Sequence, residues 1–178
     1  VLIADEVQTG FGRTGKLFAM EHFDVLPDLM AIAKSLAAGV PLSAVTGRAE
    51  IMDAPAPGGL GGTYAGNPLA AAVGLRVVEL LETGEFQERA RVLGAMLEER
   101  LRALIGHGVT EVRVAGLWAG IDIDPSVGTG RQVSERLMAR GVLVKDTHGQ
   151  TIRLAPPLVI RATEIEWAVE QLRVVLEA

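Results

Sequence analysis

The sequence predicts an α/β protein. Three observations carry that prediction: short apolar runs of strand length at the front, a middle stretch with apolar residues at three-and-four spacing, and alternating runs followed by further helical patterns towards the end.

VLIA at 1–4 is an uninterrupted apolar run and reads as a strand buried on both faces. The glycine-rich stretch to Gly15 reads as a loop. KLFAMEHF at 16–23 has helical spacing, and DVLPD at 24–28, with Pro27, reads as a connection. LMAIA at 29–33 reads as a second buried strand ending at Lys34, SLAAGVP as a loop and LSAVTG at 42–47 as a third strand. APAPGGLGGTYAGNP at 54–68 is rich in Pro and Gly, which suits an ordered functional loop or a hinge. From Leu69 to about Ile105 the spacing predicts one long or two consecutive amphipathic helices, with Thr83-Gly84 as the break. TEVRVAG and LWAGIDI give a strand pair over 110–123, and Thr129 to Arg140 a helix closed by Gly141. VLVK, TIRLAP and a helix from about Thr163 to Glu177 finish the chain. The expected organisation is a first region 1–68, a linking helical segment 69–105 and a compact α/β piece 106–178.

With 178 residues, 49% of them hydrophobic, the chain can bury a sizeable core. Apolar stretches are broken well before the roughly 18 residues that a membrane span requires. The absence of cysteine removes disulfides, thiolate metal sites and a thiol nucleophile, and fits a cytoplasmic protein. A net charge of −5 and 4% aromatic residues leave no basic footprint or stacking platform, so a small molecule is a better partner than nucleic acid. The chain opens with Val1 inside an apolar run, and a longer polypeptide is expected, whose preceding part supplies neighbouring strands and some of any active site.

Gly10-Phe11-Gly12-Arg13-Thr14-Gly15 fits the glycine pattern of a dinucleotide-binding turn. Such a turn needs an acid for the ribose at the tip of the second strand. LMAIA ends instead in Lys34, a cation, and the nicotinamide reading fails there.

Lys34 is one of only three lysines among 17 basic residues. It is either a strand-end lysine reaching water or a desolvated amine, neutral by burial, able to attack a carbonyl and form a Schiff base. Asp5 stands at the C-terminal edge of the first strand, where ligands collect in parallel α/β sheets. There it either caps a loop amide or keeps a pyridinium nitrogen protonated.

IADEVQTGFGRTGKLFAMEHFDVLPDLMAIAKSLAAGVPLSAVTGRAEIMDA followed by GGLGGTYAGNP resembles the class III (ω-) aminotransferases, pyridoxal-phosphate enzymes of fold type I, over essentially the whole chain. The resemblance implies the C-terminal portion of such a transferase: part of the large mixed-sheet domain, a linking helix and a small α/β domain. It implies pyridoxal 5'-phosphate as cofactor, with Asp5 on the pyridine nitrogen, Val7 on a ring face, Gln8 near the phenolic oxygen and Lys34 as the residue that bonds the cofactor and shuttles the proton. Thr63 would reach the cofactor phosphate of the neighbouring subunit in a homodimer; without the resemblance it reads as a turn residue beside glycine. Arg153 in TIRLAPP would receive the substrate carboxylate, its alternative being an arginine on an exposed strand face. His148 reads as loop architecture.

Within the family the wording divides. The front half is closest to members acting on 4-aminobutyrate, while GLWAGIDIDP, KDTHG and IRLAPPLVI resemble members acting on ornithine. Both kinds pass a terminal amino group to 2-oxoglutarate, and 4-aminobutyrate is the favoured donor, with ornithine as alternative. A non-catalytic fragment or interaction module, and an aminomutase or decarboxylase, complete the readings.

Overall fold

The computed structural model describes residues 1–177, which form two compact units, Val1–Gln87 and the chain from Glu88 onward. In the first unit, β1 (Ile3–Asp5) pairs in parallel with β2 (Leu29–Ile32), and β2 pairs antiparallel with β3 (Ala44–Gly47). A four-residue helix α1 (Ala49–Met52), absent from the sequence reading, follows β3. The helices α2 (Pro68–Glu82) and α3 (Glu85–Arg102) are separate, and the break falls at Thr83-Gly84, where Gly84 takes φ +77°. Asn67 starts α2: its side chain accepts the Leu69 N–H at 3.0 Å, and Pro68 at the first helical position needs no donor partner.

Two expectations are corrected here. VLIA was expected to be buried on both faces, yet Val1, Leu2 and Ile3 are exposed and only Ala4 is buried, because β1 is the edge strand of this sheet and β2 alone pairs with it. KLFAMEHF holds only one 3₁₀ turn, Ala19–His22. Glu6 explains the shortening: its buried carboxylate accepts the Met20 N–H at 2.8 Å as well as the Thr9 hydroxyl, and the Gly12 N–H bonds to the Leu17 carbonyl at 3.2 Å. These bonds hold the segment as a packed loop. Its inner side joins Phe11, Leu36 and Leu81 in a small core, with Phe11 and Phe18 edge to face at 5.5 Å.

The second unit has a larger core. Its sheet runs β4 (Val109–Val114), β5 (Ala119–Ile123), β7 (Thr151–Leu154), β6 (Lys145–Thr147), antiparallel throughout. One face presents Val112, Ile121 and Ile152, all buried, to a cluster that includes Leu97 and Leu101 of α3, Val133 and Leu137 of α4 (Gly130–Ala139) and Ile165 and Leu172 of α5 (Ala162–Leu176). Fully burying each such side chain contributes about 1.5–3 kcal/mol. Caps fix the helix starts. Thr129 and Gln132 exchange side-chain-to-backbone bonds at α4, and the Glu164 carboxylate accepts the Arg161 N–H at 2.8 Å at α5. Arg89 of α3 donates to the carbonyls of Leu158 and Ile160 at 3.2 and 2.9 Å, tying the Pro156-Pro157 turn to the helix. Among the described residues no helix is long and apolar enough to cross a membrane.

Candidate active site

β1 and β2 run in parallel, with Asp5 paired to Ala31, so both strands end at the same edge of the sheet. Asp5 and Lys34 stand at that edge, where the carboxyl ends of parallel strands leave room for a ligand. Asp5 is exposed; its Oδ1 accepts the Val7 N–H at 3.1 Å, while Oδ2 has no partner. The side chain therefore does both things foreseen for it: one oxygen caps the turn and the other is available. Val7 and Gln8 follow, half-buried, and the Gln8 amide makes no hydrogen bond.

Lys34 opens a 3₁₀ turn with φ +47°, a left-handed conformation that costs a side-chain-bearing residue roughly 1–2 kcal/mol. The expectation of a desolvated amine is not met: Lys34 is exposed and without a partner. The physical reason lies in the turn, whose buried side chains, Leu36 and Ala37, face the small core while Lys34 points away from it.

Glu6, overlooked in the sequence reading, is what fixes this edge. It is 2% exposed, its N–H bonds to the Ala31 carbonyl at 2.9 Å, and its carbonyl receives the Gly10 N–H at 3.0 Å. With its carboxylate on Thr9 and Met20, it clamps the turn that carries Asp5, Val7 and Gln8 to the end of β2. A signal was present: an acid directly after Asp5 in a run that turns back on itself has few reasons to be buried except to satisfy loop donors.

Thr63 is not brought to that edge. It is exposed in the Gly61–Gly66 loop and lines a cleft of about 540 Å³ with Pro41, Leu42 and Ser43. Arg153 lies in the second unit, half-buried, in an open cleft of about 320 Å³ with Arg113, Trp118, Gly120 and Thr151. It forms no hydrogen bond or ion pair. Arg113, by contrast, donates from Nη1 and Nη2 to the two oxygens of Asp122 at 2.8 and 2.7 Å, and its Nη1 is 2.9 Å from Glu111. That fork, followed by the 2.6 Å bond from the Thr151 hydroxyl, holds the Asp122 carboxyl below its ordinary range. His148, at φ +50°, bonds through Nδ1 to the Thr147 hydroxyl in the β6–β7 turn, as loop architecture requires. Among the described residues no group of three or more His, Asp or Glu side chains could hold a metal ion.

Residues 1–176 match the family described as Aminotransferase class-III. The chain belongs to the class III aminotransferases. It is 46% identical over 177 residues to an ornithine aminotransferase of Bordetella pertussis, covering 99% of this chain and 43% of that protein. Among solved structures, the ornithine aminotransferase of Toxoplasma gondii, described with partial occupancy of PLP at its active site, superposes with a TM-score of 0.90 at 40% identity, covering 99% of this chain and 43% of the other. An acetylornithine aminotransferase of Elizabethkingia anophelis gives 0.88 at 40%, covering 99% and 45%. The chain thus has the fold of the matching part of a fold type I transferase, and spans less than half the length of the curated relatives it matches.

Proposed function

We propose that this chain forms part of an aminotransferase that moves the terminal amino group of ornithine to 2-oxoglutarate with pyridoxal 5'-phosphate. The observation that carries the reading is the placement of an available carboxylate oxygen and an unpartnered lysine amine at the same end of adjacent parallel strands. The donor set suits the cofactor. Asp5 Oδ2 is an anion for a pyridinium N–H, Val7 is an apolar surface for a ring face, and the Gln8 amide can donate to the phenolic oxygen. Bound there, the cofactor supplies the electron sink that lets a C–H bond next to nitrogen break. The protein's own contribution is positional and acid–base. Asp5 keeps its charge at the ring nitrogen, Glu6 holds the turn rigid, and Lys34 Nζ takes the proton from the carbon that bears the amino group and returns it on the other side of the exchange. Arg153 receives a substrate carboxylate.

Ornithine replaces 4-aminobutyrate, favoured by the wording of the front half, as the proposed donor. The names of the relatives support this, and so does the wording of 116–160. A homodimer is part of the same proposal. Thr63 lies in a cleft apart from Asp5 and Lys34, as a residue serving a neighbouring subunit would, and α2 exposes Leu69, Leu75 and Leu80 away from its buried face of Ala70, Gly74 and Leu81. The exposed apolar face of β1 and the exposed Lys34 call for cover by the remainder of a longer polypeptide, without which these 178 residues turn over negligibly. The test is glutamate formation from 2-oxoglutarate by the complete polypeptide, with ornithine and 4-aminobutyrate compared as donors. Faster turnover with ornithine and no release of carbon dioxide is expected; preference for 4-aminobutyrate would reverse the donor assignment.

A further inference from the structure

The outer face of the second unit's sheet carries a cross-strand row: Arg113 on β4 pairs with Gly120 on β5, Gly120 with Arg153 on β7, and Arg153 with Lys145 on β6. Two guanidinium-bearing residues therefore flank a position that has no side chain. Lys145, at the far edge, lies 3.4 Å from Asp146. Arg113 is held in place by Asp122 and Glu111, which occupy the Nη1–Nη2 end of its guanidinium. The remaining edge, Nε–H with the second Nη2 proton, has no partner. Nη2 and Nε are also among the atoms nearest to where a Cβ on Gly120 would stand, at 3.6 and 3.8 Å. The gap above Gly120 thus has an unused donor fork on one side and the unpaired Arg153 guanidinium on the other.

We propose that Arg113 is a second carboxylate-binding residue of this cleft, so that Arg153 and Arg113 together grip the two carboxylates of the diacid acceptor across the gap left by Gly120. The inference rests on the reading of Arg153 as the residue that receives a substrate carboxylate. A side-on guanidinium edge matches a carboxylate with two parallel hydrogen bonds. Asp122 and Glu111 have already ordered the Arg113 side chain, so little freedom is lost when an anion arrives. Their charges also offset that of Arg113, which leaves it acting through directed hydrogen bonds, while Arg153 supplies the net attraction. Strands β4 and β7 are two strand spacings apart, about 10 Å, so the two forks converge on separate anionic groups. An acid with one carboxylate engages Arg153 alone. Trp118, two residues before Gly120 on the same face, walls the cleft.

Calorimetric titration of the complete polypeptide with glutarate and with pentanoate tests this, since neither acid has an oxo or amino group to react. Glutarate is expected to bind about tenfold more tightly, the size of one charge-assisted pair. Gly120→Val fills the gap and leaves both arginines paired as before. Arg113→Lys keeps a cation opposite Asp122 and removes the second edge. Both variants are expected to abolish the diacid preference, leave pentanoate affinity unchanged and raise KM for 2-oxoglutarate but not for the amino donor. If the preference is absent from the natural protein, or survives both substitutions while Arg153→Ala abolishes binding of either acid, the role of Arg113 is overturned and that of Arg153 stands. If Arg153→Ala leaves pentanoate binding intact, or neither acid binds the natural protein, the reading of Arg153 fails, and the proposal with it.

Discussion

Replacing Gly94 by alanine is expected to destabilise the second unit by about 2 kcal/mol, against the usual effect of that substitution in a helix. Gly94 lies in the interior of α3, where alanine is ordinarily better than glycine by about 1 kcal/mol. A Cβ at this position, however, would stand 2.4 Å from the Gly116 carbonyl oxygen, 2.6 Å from its carbon and 2.8 Å from its Cα. These are backbone atoms, and they cannot swing aside. The turn that holds them is fixed by the fully buried Leu117 and by the Ala115 N–H bond to the Trp118 carbonyl at 2.9 Å. Overpacking of a rigid contact costs about 1–3 kcal/mol; the upper end applies here and exceeds the gain in helix propensity by about 2 kcal/mol. Urea unfolding reads the net value, and hydrogen exchange at Trp118 reads the displaced turn. A variant as stable as the natural chain, or more stable, would show that α3 and the 115–117 turn do not approach so closely.

Lys34→Gly is expected to be more stable than Lys34→Ala by about 0.5–1 kcal/mol, because both lack the amine and only glycine accepts φ +47° without strain; equal stabilities in thermal unfolding would remove the strain argument. Glu6→Gln turns an amide towards donors of Thr9 and Met20, and should cost about 1–3 kcal/mol and speed exchange of the Met20 amide. The Asp122 carboxyl lies below its ordinary value of 3.8 in the folded state, first because of Arg113. Its contribution is therefore fully present above that value and fades as pH falls through the lower folded one. The stability difference between the natural chain and Asp122→Asn should accordingly shrink only below about pH 4, and a difference that instead vanishes near neutrality would contradict the pairing. Asn67→Ala should cost about 1 kcal/mol and fray the first turn of α2, seen as faster exchange at Leu69.

Much of the second unit was legible from period alone. In EVRVAG and LWAGIDI the residues alternate between core and solvent, so Val112 and Ile121 on one face and Arg113 and Asp122 on the other follow from spacing two. The same alternation placed Arg113 and Gly120 beside Arg153, and the chemistry of that row was missed because register between strands is a tertiary property. At the front, period failed for a different reason. The apolar run VLIA is a strand, but burial depends on what pairs with it, and only β2 does. The helical spacing of 16–23 was overridden by one buried acid, Glu6, whose demand for donors outweighs local propensity. Asp5 and Lys34 were visible as strand-end residues, whereas the left-handed backbone at Lys34 has no sequence signature. The donor was least legible, since only Arg153, at the carboxylate end of a substrate, was read in this chain.

The most direct measurement concerns Lys34. The complete polypeptide is incubated with pyridoxal 5'-phosphate, reduced with borohydride and digested, and the peptides are weighed. A pyridoxyl group on Lys34, absent when Asp5→Ala weakens cofactor retention and missing from Lys16 and Lys145, is the predicted result. Labelling spread evenly over the three lysines, or unchanged in Lys34→Ala, would contradict the assignment of this strand edge as the catalytic centre.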